Sequence, residues 1–146
     1  IERLVSKQVI EQVSPTQEAL VISSSTLQEI ISIASVILGF NATQEVFNKS
    51  REALIDMYSW LAFVTLEDDT DVEIKSSLVS AAVKGSLSPE IVHDGFRALV
   101  QFISKRMSMI VGKATTNRII EKSRYELEQR FPRSIDNIDW LALKAV

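Results

Sequence analysis

Two short basic triplets are the most chemically suggestive feature of the chain. Lys49-Ser50-Arg51 stands in NKSREAL and Lys122-Ser123-Arg124 in EKSRYEL. Arginine forks suit carboxylate or phosphate. Arg51 and Arg124, with Lys49 and Lys122 beside them, are therefore candidates for contact with an anion or a partner. A structural reading competes with this. Each serine falls on an apolar stripe, Val46-Ser50-Leu54 in one case and Ile119-Ser123-Leu127 in the other. A small residue there suits a helix crossing, and its hydroxyl can bond the carbonyl four residues back. The flanking bases can lay their stems on apolar surface and keep their charges wet. The sequence favours the structural reading.

The remaining chemical signals are weaker. VGKATT, residues 111–116, resembles the end of a phosphate-binding loop, but Met107 stands where that motif needs glycine and a helical pattern precedes it instead of a strand. His93 is the only histidine and cysteine is absent, which removes most nucleophilic triads and metal sites. Asp68-Asp69 and Asp136-Asp139 pair carboxylates, but in polar junctions, whereas acid–base work needs a shielded carboxyl. Residues 97–133 carry nine bases against three acids, and Gly112 followed by Thr115-Thr116-Asn117-Arg118 suggests a helix-turn-helix. The preceding helix is too long for that motif and the chain is acidic overall, so nucleic acid is a disfavoured partner. Tyr58, Trp60, Phe63 and Trp140 are candidate pocket walls, although aromatics of this spacing are more often core. No catalytic residue, cofactor or metal is expected.

The elements that position these residues are helical. At 146 residues, with 46% hydrophobic composition, only 4 Gly and 3 Pro, and a net charge of -3, the chain suits one domain of long elements. Its apolar runs, 27–40 and 53–66, are interrupted by Gln28, Glu29 and Asp56, so no membrane span is expected. No signal peptide is visible, and a start at Ile1 reads as a fragment of a longer chain.

Apolar spacing predicts a helix over 1–13. Ser14-Pro15-Thr16-Gln17 then predicts a capping box with proline at the first helical position, opening a helix that ends at Gly39. Asn41 is expected to cap the next helix, whose stripe runs from Val46 to Leu61. EDDTDVE, 67–73, reads as an acidic, solvated junction. A helix from about Val72 to Lys84 ends at Gly85. Ser88-Pro89, with Leu87 and Val92 as a hydrophobic staple, opens a helix ending at Gly112, and the next runs to Pro132. The tail from Ile135 suggests one more short helix.

The punctuation repeats. At an offset of 73, Ser35, Ile37, Gly39 and Thr43 fall on Ser108, Ile110, Gly112 and Thr116, and Lys49, Ser50, Arg51 and Leu54 on Lys122, Ser123, Arg124 and Leu127. At 74, Ser14-Pro15 falls on Ser88-Pro89, and at 80, Trp60-Leu61-Ala62 falls on Trp140-Leu141-Ala142. The expectation is therefore an all-α single domain of about six helices. It is built as two tandem three-helix repeats about a pseudo-twofold axis, with repeat one at 1–66, the junction at 67–73 and repeat two at 74–146. The function expected is a non-enzymatic regulatory or protein-interaction module of a larger, cytoplasmic signalling protein, with a protein partner or self-association. The alternative is a ligand-sensing domain holding a small apolar or anionic molecule between the repeats.

Overall fold

The computed structural model describes residues 14–67, 71–75, 78, 87–131 and 138–145. The expected helices over 1–13 and up to Lys84, the glycine stop at Gly85 and the Asp68-Asp69 pair lie wholly or partly outside those residues. Within them the chain is predominantly helical. Four long helices, α1 (Pro15–Leu38), α2 (Phe40–Leu54), α3 (Pro89–Val111) and α4 (Lys113–Arg130), form the body. A 3-10 turn (Ser59–Phe63), a two-stranded hairpin of β1 (Val64–Leu66) and β2 (Val72–Ile74), and a terminal helical turn, α5 (Trp140–Leu143), pack onto it.

Local chemistry starts the helices where the sequence places them. The Gln17 N–H donates to Ser14 Oγ at 3.1 Å and the Ser14 N–H to Gln17 Oε1 at 3.0 Å, a complete capping box. Ser88 Oγ accepts from the Ile91 N–H at the head of α3, and the staple residues Leu87 and Val92 are both buried.

A single glycine joins α1 to α2, and another joins α3 to α4. Gly39 has φ 87 and ψ 161, and Gly112 has φ 88 and ψ 160. That region of backbone space is almost closed to side-chain-bearing residues. In both corners the glycine N–H donates back to a serine carbonyl, Ser35 or Ser108. The glycine carbonyl then accepts both the N–H and the hydroxyl of the threonine four residues on, Thr43 or Thr116. This corrects the cap expected at Asn41. Gly39 is the cap position, α2 begins at Phe40 without a side-chain cap, and Asn41 lies in its exposed first turn.

α1 and α3 run side by side in the same direction. The Thr16 hydroxyl at the head of α1 donates to the Leu87 carbonyl just before α3, 3.0 Å away, and residues midway along both helices share one cleft. α2 and α4 fold back along them, α4 against α1 and α2 against α3. The buried faces correspond. In α2 they are Thr43, Val46, Phe47, Ser50 and Leu54, and in α4 Thr116, Ile119, Ile120, Ser123 and Leu127, residue for residue at the offset of 73. The same shift carries Ala19, Ser23, Thr26, Leu27, Ile30, Ile31 and Ala34 of α1 onto buried residues of α3.

Two further expectations are corrected. α2 stops at Leu54, leaving Met57 exposed outside any stripe. Val72–Ile74 is a strand paired antiparallel with Val64–Leu66, not the start of a helix. β-Branched residues on both sides suit a pleated pair, and the Gln28 side chain of α1 accepts the Val72 N–H at 2.6 Å. By length and mean hydropathy (1.6), α1 is the one helix among the described residues apolar enough to cross a membrane. In this fold its apolar stripe is buried against α3 and α4.

Candidate functional site

The serines of the two triplets are packing residues. Ser50 and Ser123 are both 0% exposed, and each hydroxyl donates to the carbonyl four residues back, Val46 at 2.7 Å and Ile119 at 2.8 Å. Burial therefore leaves no lost hydrogen bond, and the small side chain lets a neighbouring helix approach.

The four bases around them do four different things. Lys49 pairs with Glu45 at 2.7 Å, and that bond holds the Glu45 carboxyl below the usual carboxylate range. Arg51 turns inward: its guanidinium lies 5.9 Å from the centre of the Phe47 ring and donates to the Val64 carbonyl at 2.9 Å, pinning β1 to α2. Its Nε is buried without a partner among the described residues. Arg124 pairs with Glu128 one turn along α4, on the exposed face. Lys122 alone of the four faces a cleft. Arg51 and Arg124 are thus occupied separately, and no contact brings them together among the described residues.

The four aromatic candidates also separate. Trp60 is buried against Phe96, ring centres 5.4 Å apart, with half-buried Tyr58 edge-on at 6.5 Å. Gly95 makes this possible, because a β-carbon there would fall 2.3 Å from the Trp60 ring. Trp140 is buried, whereas Phe63 is substantially exposed. None of the four lines either of the two clefts described next.

The first cleft, about 360 Å3, lies between the N-terminal halves of α1 and α3 and the C-terminal segment. Glu90, His93, Asp94 and Asp139 stand around it, with Ser23 and Phe96 toward the core. His93 is exposed, and no group of three metal-ligating side chains occurs among the described residues. Arg97 also lines it, with apolar Val100, Ile138 and Leu143, so acids, a cation and apolar side chains mix there.

The second is a groove of about 350 Å3 between the C-terminal half of α1 and the N-terminal half of α4. Ile33, Val36, Ile37 and Ile119 form its walls, and Arg118 and Lys122 stand on its rim with Thr115 and Ser32. Neither cation has an ion-pair partner among the described residues. Apolar walls with two unpaired positive charges at one edge accept a ligand with an apolar body and an anionic head.

Sequence reasoning found Lys122 but missed Arg118, Ile33 and Val36 as a set. The signal was present. Val36 and Ile37 are adjacent apolar residues and cannot share one buried stripe, and Arg118 replaces Glu45 at the matching position of the first half. No family model, curated protein or solved structure matches this chain.

Proposed function

We propose that this is a non-enzymatic, ligand-sensing helical module that binds a small anionic amphiphile in the groove between α1 and α4. The proposal includes the origin of the fold: two tandem copies of one helical unit about a pseudo-twofold axis, so that the groove lies between the copies. The matched glycine corners, serine back-bonds and buried faces support that origin. The observation that carries the ligand reading is the groove itself, with apolar walls from α1 and Ile119 of α4, and Arg118 and Lys122 without an ion-pair partner among the described residues.

Divergence between the halves supports a role for this side. The seam matching the groove lies between α3 and α2. There Arg106 replaces Ile33, and Glu45, paired with Lys49, replaces Arg118. Two seams of one plan have kept the same backbone and taken different chemistry.

Anilinonaphthalene sulfonate, a fluorescent anion with an apolar body, tests the reading. Saturable binding of one dye per chain is expected, weakened several-fold in Arg118→Gln/Lys122→Gln with unchanged near-ultraviolet dichroism. Absence of saturable binding, or binding indifferent to those substitutions, overturns it.

A second reading, the protein-interaction module, is favoured by one further observation. Val36, Ile37, Met109 and Ile110 are exposed large apolar residues at the ends of α1 and α3, and such clusters mark contact surfaces.

A further inference from the structure

The two helix corners form one end of the bundle, where exposed apolar residues and cations lie together. Ile37 and Thr115 line the same groove, which places the Gly39 and Gly112 corners at the same end. Val36 is 85% and Met109 74% exposed there, with Ile37 and Ile110 each about half exposed beside them. These are matched positions at the offset of 73, so both corners project the same apolar pair. Val36 and Ile37 also wall the groove, whereas Met109 and Ile110 lie outside it, in the last turn of α3.

Charge at this end is one-sided. Lys105 and Arg106 lie in the last two turns of α3, Lys113 and Arg118 in the first two turns of α4, and Lys122 one turn further. None of Lys105, Lys113, Arg118 and Lys122 has an acid partner among the described residues. The nearby acids are already engaged, Glu45 by Lys49 and Glu121 by Lys144, and those bonds hold both carboxyls below their usual range. A basic end on a chain of net charge -3 is a local feature, and it collars exposed apolar residues. The chain also enters α1 at Ser14 and returns to α3 at Leu87, and both points lie at the opposite end.

From this combination we infer that the corner end docks on the surface of an anionic lipid bilayer. Val36, Ile37, Met109 and Ile110 would enter the headgroup region, and Lys105, Lys113, Arg118 and Lys122 would contact lipid phosphates. Apolar residues flanked by cations bind such interfaces by adding buried apolar area to attraction for anionic lipid. The inference extends the groove reading by naming a bilayer as the source of the amphiphile, and four of its residues, Lys105, Met109, Ile110 and Lys113, lie outside the groove.

Co-sedimentation with phosphatidylcholine vesicles, with and without phosphatidylglycerol, provides the test. Binding to the anionic vesicles and not to the neutral ones is expected, falling as salt rises. Lys105→Gln and Lys113→Gln should each weaken it about fivefold while leaving dye binding in the groove unchanged. Val36→Ser/Met109→Ser should abolish vesicle binding in a chain of unchanged helicity. Equal affinity for both vesicles, no affinity for either, or indifference to Lys105, Lys113 and Met109 overturns the inference. So does concentration-dependent self-association removed by Val36→Ser/Met109→Ser without vesicle binding, which would make this end a contact between copies. Dye binding without vesicle binding leaves the groove reading standing and removes this one.

Discussion

At the residue scale, identical sequence triplets perform different tasks because their surroundings differ. Ser50 and Ser123 remain equivalent because their job, a small side chain bonded within its own helix, depends only on local geometry. Arg51 and Arg124 diverge because each depends on what lies beyond the helix. Arg51 meets the Val64 carbonyl and the Phe47 ring, whereas Arg124 meets solvent and Glu128. Replacement by methionine should separate them in chemical denaturation. Arg51→Met is expected to cost about 1.5–3 kcal/mol, the range for a charged hydrogen bond. Arg124→Met should cost about 0.5 kcal/mol or less, since exposed pairs one helical turn apart contribute little. Equal costs would contradict these roles. The sequence shows the triplets plainly but not this divergence, because the Val64 carbonyl lies 13 residues from Arg51 and reaches it only through the hairpin.

At the element scale, the corners are the stiffest statement the chain makes. Gly39 and Gly112 adopt nearly the same backbone angles, and no neighbouring atom crowds either one. The requirement for glycine is therefore conformational, not steric contact. Gly39→Ala and Gly112→Ala should each destabilise the domain by about 1–3 kcal/mol, the cost of a side chain in that region of backbone space. Loss at one corner and not the other, in thermal or urea unfolding, would contradict the shared geometry. The glycine stops, the Ser-Pro starts and most of the buried stripes were legible in the sequence because capping chemistry and helical periodicity act within a few residues. The hairpin was not. Its acids and β-branched residues read as a junction and a helix start, and the bond that fixes β2 comes from Gln28, 44 residues away. Trp60 shows the same limit: its place depends on the bare backbone of Gly95 on another helix.

At the scale of the whole molecule, the matched helices build a body whose two clefts differ in chemistry. One, midway along α1 and α3, has acids around His93. The other lies toward the corner end, walled by isoleucine and valine, with exposed apolar residues and cations that have no ion-pair partner among the described residues. The sequence shows the excess of bases over 97–133, but not that Arg118 and Lys122 stand beside Ile33 and Ile37, because that requires α4 to fold back along α1. Seen alone, the basic run suggests nucleic acid. Beside apolar walls it suits an anion with an apolar tail.

Titration of the isotope-labelled chain with monomeric dodecyl phosphate, followed by nuclear magnetic resonance, tests the central claim most directly. The groove predicts saturable shifts confined to Ile33, Val36, Ile37, Thr115, Arg118, Ile119 and Lys122, with the resonances of Glu90, His93 and Asp94 unmoved. Shifts centred on His93, or none below the micelle concentration, would contradict it.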